Sequence, residues 1–255
     1  MQEGGDPMER IRVCLEAAGI PVSDRQLEML EAYLNMVVER NKVMNLTAIT
    51  DREEFIEKHL LDSAAPLFSS NQLRKLFLPY ENETPVGSVR LIDVGTGAGF
   101  PGIPLKILCP SLSVTLLDSL QKRVGFLNEV IDTLELRDIT AVHMRAEEGG
   151  QAAALRESFD IAVSRAVANL SMLAEYDLPF VRVGGTFLAY KSGEIEEELA
   201  KAGHAIRILG GAAEPPVYIE LPGTEIRRAF VTIRKTKPTP KGYPRKAGTA
   251  KKNPL

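Results

Sequence analysis

Alternating glycines follow an apolar run of the chain, in the segment LIDVGTGAGFPGIPLKI (residues 91–107). The run closes on Asp93, and glycines stand at Gly95, Gly97 and Gly99. Glycine lets the backbone turn with a positive φ and leaves no Cβ to block a ligand. A helix that begins behind such a turn offers free N–H groups and a partial positive charge. The spacing therefore predicts a ligand-binding loop at the edge of a sheet.

Two cofactor classes suit this loop. Residues 97–102 (GAGFPG) match the dinucleotide fingerprint G-x-G-x-x-G, but the glycine that closes the strand is Gly95, and Phe100 then stands where the third glycine belongs. Counted from Gly95, the pattern resembles motif I of the class I S-adenosylmethionine-dependent methyltransferases. Asp118 fits either cofactor, because an acid at the tip of the second strand receives ribose hydroxyls. Glu147 stands where methyltransferases commonly contact the adenine ring.

The surrounding sequence alternates between short apolar runs and helical stretches. Strands are predicted at residues 90–94, 113–118, 139–144, 159–164 and 185–191. Helices are predicted at residues 103–109, 120–136, 151–157, 170–180 and 194–201. Two more strands are predicted at 205–209 and 229–234, with no helix between them. This order predicts an α/β, Rossmann-like fold: a mostly parallel sheet of about seven strands with an antiparallel last strand.

Helices are predicted ahead of this core. Apolar residues recur at helical spacing through residues 8–66, and capping boxes are predicted at Ser23 with Gln26 and at Thr50 with Glu53. The predicted organisation is an N-terminal helical section packed on the core at 8–66, a connector at 67–89, the methyltransferase-like core at 90–235 and a basic tail at 236–255.

Charge is unevenly distributed along the 255 residues. The formal net charge is −3, yet residues 235–255 carry seven Lys or Arg and no acid. A basic end on an acidic body is suited to binding a polyanion, and the alternative is a solvated tail that keeps the protein soluble. The composition, 44% hydrophobic and 25% charged, is that of a globular protein. It excludes a collagen-like or wholly disordered chain.

Neither a membrane protein nor a secreted one is expected. No apolar run approaches the roughly 20 residues of a spanning helix, and the polar start MQEGGDPMER lacks the features of a secretory signal. Cys14 and Cys109 are far apart, which predicts neither a disulfide framework nor a metal cluster. We therefore expect a cytoplasmic protein with no metal, no membrane and no obligate protein partner.

Six segments in order resemble one family: NKVMNLTAIT (41–50), HLLDS (59–63), the glycine loop, RAEE (145–148), VSRAVANL (163–170) and PRKAGTAKKNP (244–254). Together they resemble the RsmG family, also called glucose-inhibited division protein B. The resemblance runs from about residue 25 to the C-terminus. It implies methyl transfer from S-adenosylmethionine to N7 of a guanine in 16S rRNA, the guanine at position 527, with that RNA or the small ribosomal subunit as partner.

The resemblance also implies roles for single residues. Gly95 and Phe100 would hold the cofactor at the loop, Ala146 and Glu147 its adenine side, and Arg165 would be the cofactor-site arginine. With the glycines and the ribose acid included, the predicted cofactor-binding residues are Gly95, Gly97, Gly99, Phe100, Asp118, Ala146, Glu147 and Arg165.

Basic residues are predicted to bind RNA from the same side of the sheet. Arg123 is expected on the rim of this sheet edge, and Lys191, at the tip of the fifth predicted strand, is expected to contact RNA or the guanine. Arg245 and Lys246 in the tail would neutralise phosphates without reading sequence. The sequence does not separate structural from functional roles for three polar residues, Asn45, Thr47 and His59.

No catalytic acid or base is predicted. Guanine N7 carries an exposed lone pair, so methyl transfer to it demands positioning more than proton transfer. The Asn/Asp-Pro-Pro-Tyr loop of amino-methyltransferases is absent, and SRAVAN (164–169) stands in its place. Because this chemistry leaves no acid–base signature, a non-catalytic ribosome-assembly factor that senses the cofactor stays an alternative. A nicotinamide-dependent dehydrogenase and a small-molecule methyltransferase fit the sequence less well.

Overall fold

A mixed sheet of eight strands forms the centre of the computed structural model, which describes residues 6–78, 88–165 and 168–255. The strands are β1 Arg90–Val94, β2 Ser113–Asp118, β3 Ile139–His143, β4 Phe159–Ser164, β5 Val181–Ser192, β6 Gly211–Ala213, β7 Val217–Glu220 and β8 Arg227–Lys235. Their order is β3-β2-β1-β4-β5-β8-β6, and β7 pairs with β8 off this path. The first five strands pair in parallel, whereas β8 is antiparallel to β5, β6 and β7. The α/β, Rossmann-like fold expected from the sequence is confirmed.

Helices lie before, between and after the strands. The N-terminal ones are α1 Pro7–Ala17, α2 Asp24–Met44, α3 Arg52–Phe55, a π-helix Ile56–Leu61, α4 Asp62–Ser69 and α5 Asn71–Phe77. The others are α6 Gly102–Leu108, α7 Gln121–Thr133, α8 Ala146–Gly149, α9 Leu170–Asp177, a 3-10 helix Leu178–Phe180, α10 Glu196–Ile208 and α11 Thr249–Lys252.

Two hydrophobic clusters lie on opposite faces of the sheet. Successive side chains of a strand point to opposite faces, so Leu91 joins one cluster and its neighbour Ile92 the other. The first cluster includes Phe55 and other N-terminal residues, and the second includes Leu173 of α9 and Ile206 of α10. Each fully buried side chain of this size contributes about 1.5–3 kcal/mol. Burial of both faces explains the nearly continuous apolar strands.

The N-terminal helices begin where side chains can cap them. The capping box at Ser23 and Gln26 is confirmed, with Ser23 N donating to Gln26 Oε1 at 2.9 Å. The second predicted box is wrong by one residue, because Asp51 caps α3 and accepts from Glu54 N at 2.9 Å. A carboxylate is at least as good an acceptor for a helix N–H as a threonine hydroxyl. Asp51 therefore takes the N-cap position that the sequence predicted for Thr50.

Other local predictions also need correction. Residues 205–209, predicted as a strand, lie at the end of α10, where buried Ala202, Ala205 and Ile206 follow helical spacing. Residues 151–157, predicted as a helix, form turns. The predicted connector contains helix α5, and its residues 79–87 lie outside the described part of the chain. The boundaries of the predicted sections stay a prediction.

Candidate functional site

The glycine loop turns from β1 into α6, as its sequence predicts. Gly95, Gly97 and Gly99 have φ of +73°, +63° and +113°, the region that side chains rarely adopt. A Cβ at Gly95 or Gly97 would meet nothing within 4 Å, whereas one at Gly99 would overlap Ile103 Cδ1 and lie 2.9 Å from the hydroxyl of Tyr33. The first two glycines therefore leave room for a ligand, and the third lets both α6 and α2 pack closely against the loop.

Asp93 supports the loop from inside. Its Oδ2 accepts hydrogen bonds from Thr96 Oγ1 at 2.7 Å and from Gly102 N at 2.8 Å. Burial raises the pKa of Asp93 to about 6, although these two hydrogen bonds lower it. A Cβ at Gly102 would lie 2.9 Å from the same carboxylate oxygen, so this glycine is needed for packing and not for a ligand.

A cavity of about 370 Å³ opens beside the loop, at the carboxyl ends of β1 to β4, and is called the sheet-edge cavity below. Of the predicted cofactor-binding residues it is lined by Gly95, Asp118, Ala146 and Glu147. Arg123, predicted to bind RNA, also lines it, with Nη1 3.5 Å from Asp118 Oδ2. The structure thus brings together residues from three strand ends that the sequence assigned to one ligand.

Asp118 is fixed by backbone amides. Its Oδ2 accepts from Gly97 N at 3.0 Å and its Oδ1 from Leu120 N at 2.9 Å. The residue is 3% exposed. Each carboxylate oxygen has a second lone pair, so Asp118 can still receive a hydroxyl from the cavity.

A third acid in the wall was not found from the sequence. Asp177, at the end of α9, lines the sheet-edge cavity, and neither of its carboxylate oxygens has a partner among the described residues. Burial raises the pKa of Asp177 well above its usual range. With Asp118 and Glu147 it gives the cavity three acids, and the same wall holds three basic side chains, Arg123, Arg145 and Lys251. A cavity with both signs of charge beside open glycines fits S-adenosylmethionine, which carries cationic sulfonium and ammonium groups, an anionic carboxylate and ribose hydroxyls.

A second cavity, of about 670 Å³, adjoins the first, and both include Ala168 in their walls. We call it the arginine cavity; its walls include Lys58, His59, Asp62, Arg165, Lys191 and Arg228. Arg165, predicted to bind the cofactor, lines this cavity and not the sheet-edge cavity. Its assignment to the cofactor therefore stays a prediction.

Asp62 organises the arginine cavity. It is 1% exposed and pairs with Arg165 Nη1 at 3.0 Å and with Arg228 Nε at 2.7 Å. Arg165 Nη1 also donates to the backbone oxygen of Lys58 at 2.9 Å. Asp62 and Lys58 lie in or beside the π-helix, a feature that recurs at functional sites. The N-terminal helices thereby fix the side chain that follows β4.

Phe100 is part of this arrangement. Its ring stacks on His59, with centroids 4.5 Å apart and planes 16° apart, and Arg165 Cζ lies 4.9 Å from the ring centroid. Phe100 is 6% exposed and packs with Tyr33 and Phe55 as well. It therefore connects the glycine loop to the arginine cavity, and a direct cofactor contact stays a prediction.

His59 is held as a neutral ring. Arginine can only donate, so Nδ1 accepts from Arg165 Nη2 at 3.0 Å, and Nε2 then donates to Thr47 Oγ1 at 2.7 Å. Burial, followed by the charge of Arg165, lowers the pKa of His59 to about 3. Thr47 therefore orients His59, whereas Asn45 has a structural role, ending α2 in the left-handed conformation.

Lys191 is partly enclosed. Its Nζ donates to Ala168 O at 2.8 Å and pairs with Glu198 Oε1 at 2.8 Å, and its side chain is 11% exposed. Glu198 Oε1 also accepts from Leu170 N at 2.6 Å. Lys191 thus presents its charge inside the arginine cavity, and an RNA contact there would be with a base that enters the cavity.

The tail is attached to the body. Lys235 Nζ is buried and donates to Leu178 O at 2.6 Å, and Arg156 donates to Thr239 O and Tyr243 O, both at 2.7 Å. Burial lowers the pKa of Lys235 to about 8. Arg245 pairs with buried Glu175, whereas Lys246 is exposed. The two tail residues predicted to bind RNA therefore have different surroundings.

Sequence reasoning missed the acids that hold the basic residues. Asp62 occurs in HLLDS, which carried the family resemblance, but its helical spacing does not reveal its partners. Its contact with Arg228 joins residues 166 positions apart. No local pattern signals such a pair.

Within residues 6–78, 88–165 and 168–255, no helix has the length and apolarity to cross a membrane. The same residues contain no group of three or more His, Cys, Asp or Glu side chains that could hold a metal ion. The two cysteines, Cys14 and Cys109, are buried and unpaired.

Comparison with known proteins gives consistent matches over most of the chain. The family model for rRNA small subunit methyltransferase G matches residues 26–216. A ribosomal RNA small subunit methyltransferase G from Lachnoclostridium phytofermentans is 49% identical over 241 residues, 94% of each chain. One from Lactobacillus johnsonii is 46% identical over 93% of this chain and 95% of the relative. One from Bacillus cereus is 45% identical over 97% of this chain and 98% of the relative.

Solved structures are more distantly similar. A predicted O-methyltransferase from Agrobacterium tumefaciens has a TM-score of 0.48 and 18% identity, covering 64% of this chain and 81% of that one. Fibrillarin from Aeropyrum pernix, solved with natively bound S-adenosyl-L-methionine, has a TM-score of 0.45 and 16% identity, covering 64% and 74%.

Proposed function

Because the chain belongs to the rRNA small subunit methyltransferase G family, we propose that it transfers the methyl group of S-adenosylmethionine to N7 of a guanine in 16S rRNA. The observation that carries the proposal is the pair of adjoining cavities that share Ala168. One is lined by the glycine loop and by Asp118 and Glu147, and the other by arginine, lysine and aromatic side chains. We assign the methyl donor to the first and the guanine to the second.

The sheet-edge cavity binds and orients the donor. Gly95 leaves its backbone open to the ligand, Asp118 is placed for ribose hydroxyls, and Glu147 lies on the adenine side. S-adenosylmethionine, when bound, supplies an electrophilic methyl group on a cationic sulfonium.

The arginine cavity positions the acceptor. Lysine and arginine are the residues that most often hydrogen-bond guanine O6 and N7. A donor on O6 orients the base and leaves the N7 lone pair free, so we assign this contact to Lys191. Arg165 is the next candidate, held by Asp62 and by the ring of Phe100. These residues act by placing N7 in line with the methyl group, which is a main source of rate for a displacement.

No side chain has to move a proton in this reaction. N7 attacks the methyl carbon with its own lone pair while the bond from that carbon to sulfur breaks. The positive charge thereby passes from the sulfonium to the base, and the leaving group is a neutral thioether. His59 is kept neutral by its two hydrogen bonds and by burial, so it neither donates nor removes a proton near neutral pH.

The experiment is a methyl-transfer assay. Small ribosomal subunits from cells that lack this protein are incubated with the pure protein and labelled S-adenosylmethionine, and the rRNA is digested to nucleosides. We expect the label in 7-methylguanosine. Label in another nucleoside would contradict the N7 assignment, and no label despite cofactor binding would favour the assembly-factor alternative.

A variant tests the division between the cavities. Lys191→Met should lower methyl transfer about tenfold or more, since a hydrogen bond from a charged group contributes about 1.5–3 kcal/mol. Affinity for S-adenosylmethionine, measured by calorimetry, should be unchanged. A loss of cofactor affinity would place Lys191 on the donor side instead.

A further inference from the structure

The C-terminal tail reaches the sheet-edge cavity, and a buried ion pair holds it there. Arg245 donates through Nε to Glu175 Oε1 at 2.8 Å and through Nη2 to Oε2 at 2.6 Å. The backbone N–H of Arg245 donates to the same Oε1 at 2.8 Å. Glu175 lies in α9 and is 1% exposed. A two-pronged arginine–carboxylate pair with a third bond from the backbone fixes the path of the chain at this residue.

Three residues later the tail contacts a predicted cofactor-binding residue. The backbone N–H of Gly248 donates to Glu147 Oε1 at 3.0 Å. Gly248 has a φ of +79° and starts α11, and both Gly248 and Lys251 line the sheet-edge cavity. One wall of this cavity is therefore built by the tail, far along the chain from the glycine loop.

The same ion pair adjoins the cavity through its own helix. Glu175 precedes Tyr176 and Asp177, which both line the cavity. Burial and the charge of Glu147 raise the pKa of the Tyr176 hydroxyl. Arg245 thus contacts Glu175, whose two following residues line the cavity. Arg245 also begins the tail segment in which Gly248 donates a hydrogen bond to Glu147.

We propose that Arg245 is a positioning residue for the cofactor: by its pair with Glu175 it holds residues 245–252 as a wall of the sheet-edge cavity and keeps Glu147 oriented through Gly248. This inference rests on the proposed function, in which that cavity holds S-adenosylmethionine. It also divides the tail. Arg245 is committed to a buried acid, whereas its exposed neighbour Lys246 is available to RNA phosphates.

The experiment compares Arg245→Ala and Glu175→Gln with Lys246→Ala as the matched control, all in the full-length chain. Two quantities are measured: the dissociation constant for S-adenosylmethionine by calorimetry, and the salt dependence of binding to 16S rRNA. We expect the first two variants to weaken cofactor binding about tenfold or more. Lys246→Ala should leave cofactor affinity unchanged and lower the salt slope by about one unit, as loss of one phosphate contact does.

Glu175→Gln is informative because Glu175 is too buried to contact RNA and does not line the cavity. Arg245→Lys covers the case in which Arg245→Ala does not fold. It keeps the charge and loses the two-pronged geometry, so we expect cofactor affinity between those of the wild type and Arg245→Ala. Urea midpoints verify that each variant is folded under the binding conditions.

Unchanged cofactor affinity in Arg245→Ala and Glu175→Gln, with a salt slope lowered by about one unit in Arg245→Ala, would make Arg245 a phosphate contact and overturn the inference. Equal losses of cofactor affinity in Lys246→Ala and Arg245→Ala would overturn it too, because charge alone would then explain both. A wild-type protein that binds no S-adenosylmethionine would contradict the proposed function itself, a result distinct from either.

Discussion

The sheet-edge cavity and the arginine cavity adjoin, but they are built in different ways. The first is formed mainly at strand ends, with Gly95, Asp118 and Glu147 at or just beyond the carboxyl ends of β1, β2 and β3. The second is formed by side chains from separate parts of the chain, with Asp62 joining Arg165 and Arg228. Under the proposed function, the strand ends with α9 and the tail form the donor site, whereas the N-terminal helices are needed to complete the acceptor site.

The largest effect is expected from Asp62→Ala, because it leaves two arginines beside an empty position. Removing one partner of a buried ion pair costs about 3–5 kcal/mol, which urea unfolding would measure. The control is Glu197→Ala, which removes an exposed pair with Lys201 and should cost less than about 1 kcal/mol. Equal effects would mean that the arginine cavity does not depend on its buried acid.

A smaller effect, confined to the donor cavity, is expected from Gly95→Ala. The added Cβ would be strained at a φ of +73° and would point to the space left for the ligand, so affinity for S-adenosylmethionine should fall about tenfold or more. Gly125→Ala is the matched control, since its Cβ also meets nothing within 4 Å and its φ is not left-handed. Calorimetry on both variants makes the comparison. Retained affinity in Gly95→Ala would place the donor elsewhere.

A third effect, spread over several pH units, is a pH dependence at His59 in the arginine cavity. Burial lowers the pKa of His59 from 6.5 to about 3, so between these pH values the unfolded chain binds a proton that the folded protein does not. Stability should therefore fall as the pH falls from 6.5 to 3, by at most about 1.4 kcal/mol per pH unit. Urea unfolding across that pH range measures the slope. Its loss in His59→Gln would confirm that His59 is buried and neutral in the folded protein.

Asp93 has the opposite pH dependence. Its pKa is raised from 3.8 to about 6, so the folded protein binds the extra proton and stability falls as the pH rises through that window. The two contributions partly cancel in the wild type. The difference between the wild type and His59→Gln isolates the histidine. If the slopes of the two proteins were the same, His59 would not be buried as the structure has it.

The difference between strand-end residues and long-range ion pairs also explains which site residues could be predicted from the sequence. Gly95, Asp118 and Glu147 were predictable because strand ends of a parallel sheet meet at one edge, so a local pattern fixes their place. The acids Asp62 and Glu175 were not, since their partners lie far along the chain and no periodicity links them. Residues 205–209 were misread because a short apolar window does not separate a strand from a helix end.

The tail shows the same limit. Its charge predicted an RNA contact, and for exposed Lys246 the structure leaves that prediction open. For Arg245, however, the deciding fact is a buried acid 70 residues earlier. Composition reports the charge of a segment but not the group that neutralises it.

The most direct test of the central claim maps the methylated base in the RNA itself. After reaction with small subunits from cells lacking this protein, the 16S rRNA is cleaved chemically at 7-methylguanine and the fragments are sequenced. The two-cavity account predicts one new cleavage site that requires both the protein and S-adenosylmethionine. Methyl transfer to the RNA without any such site would contradict the assignment of guanine N7 to the arginine cavity.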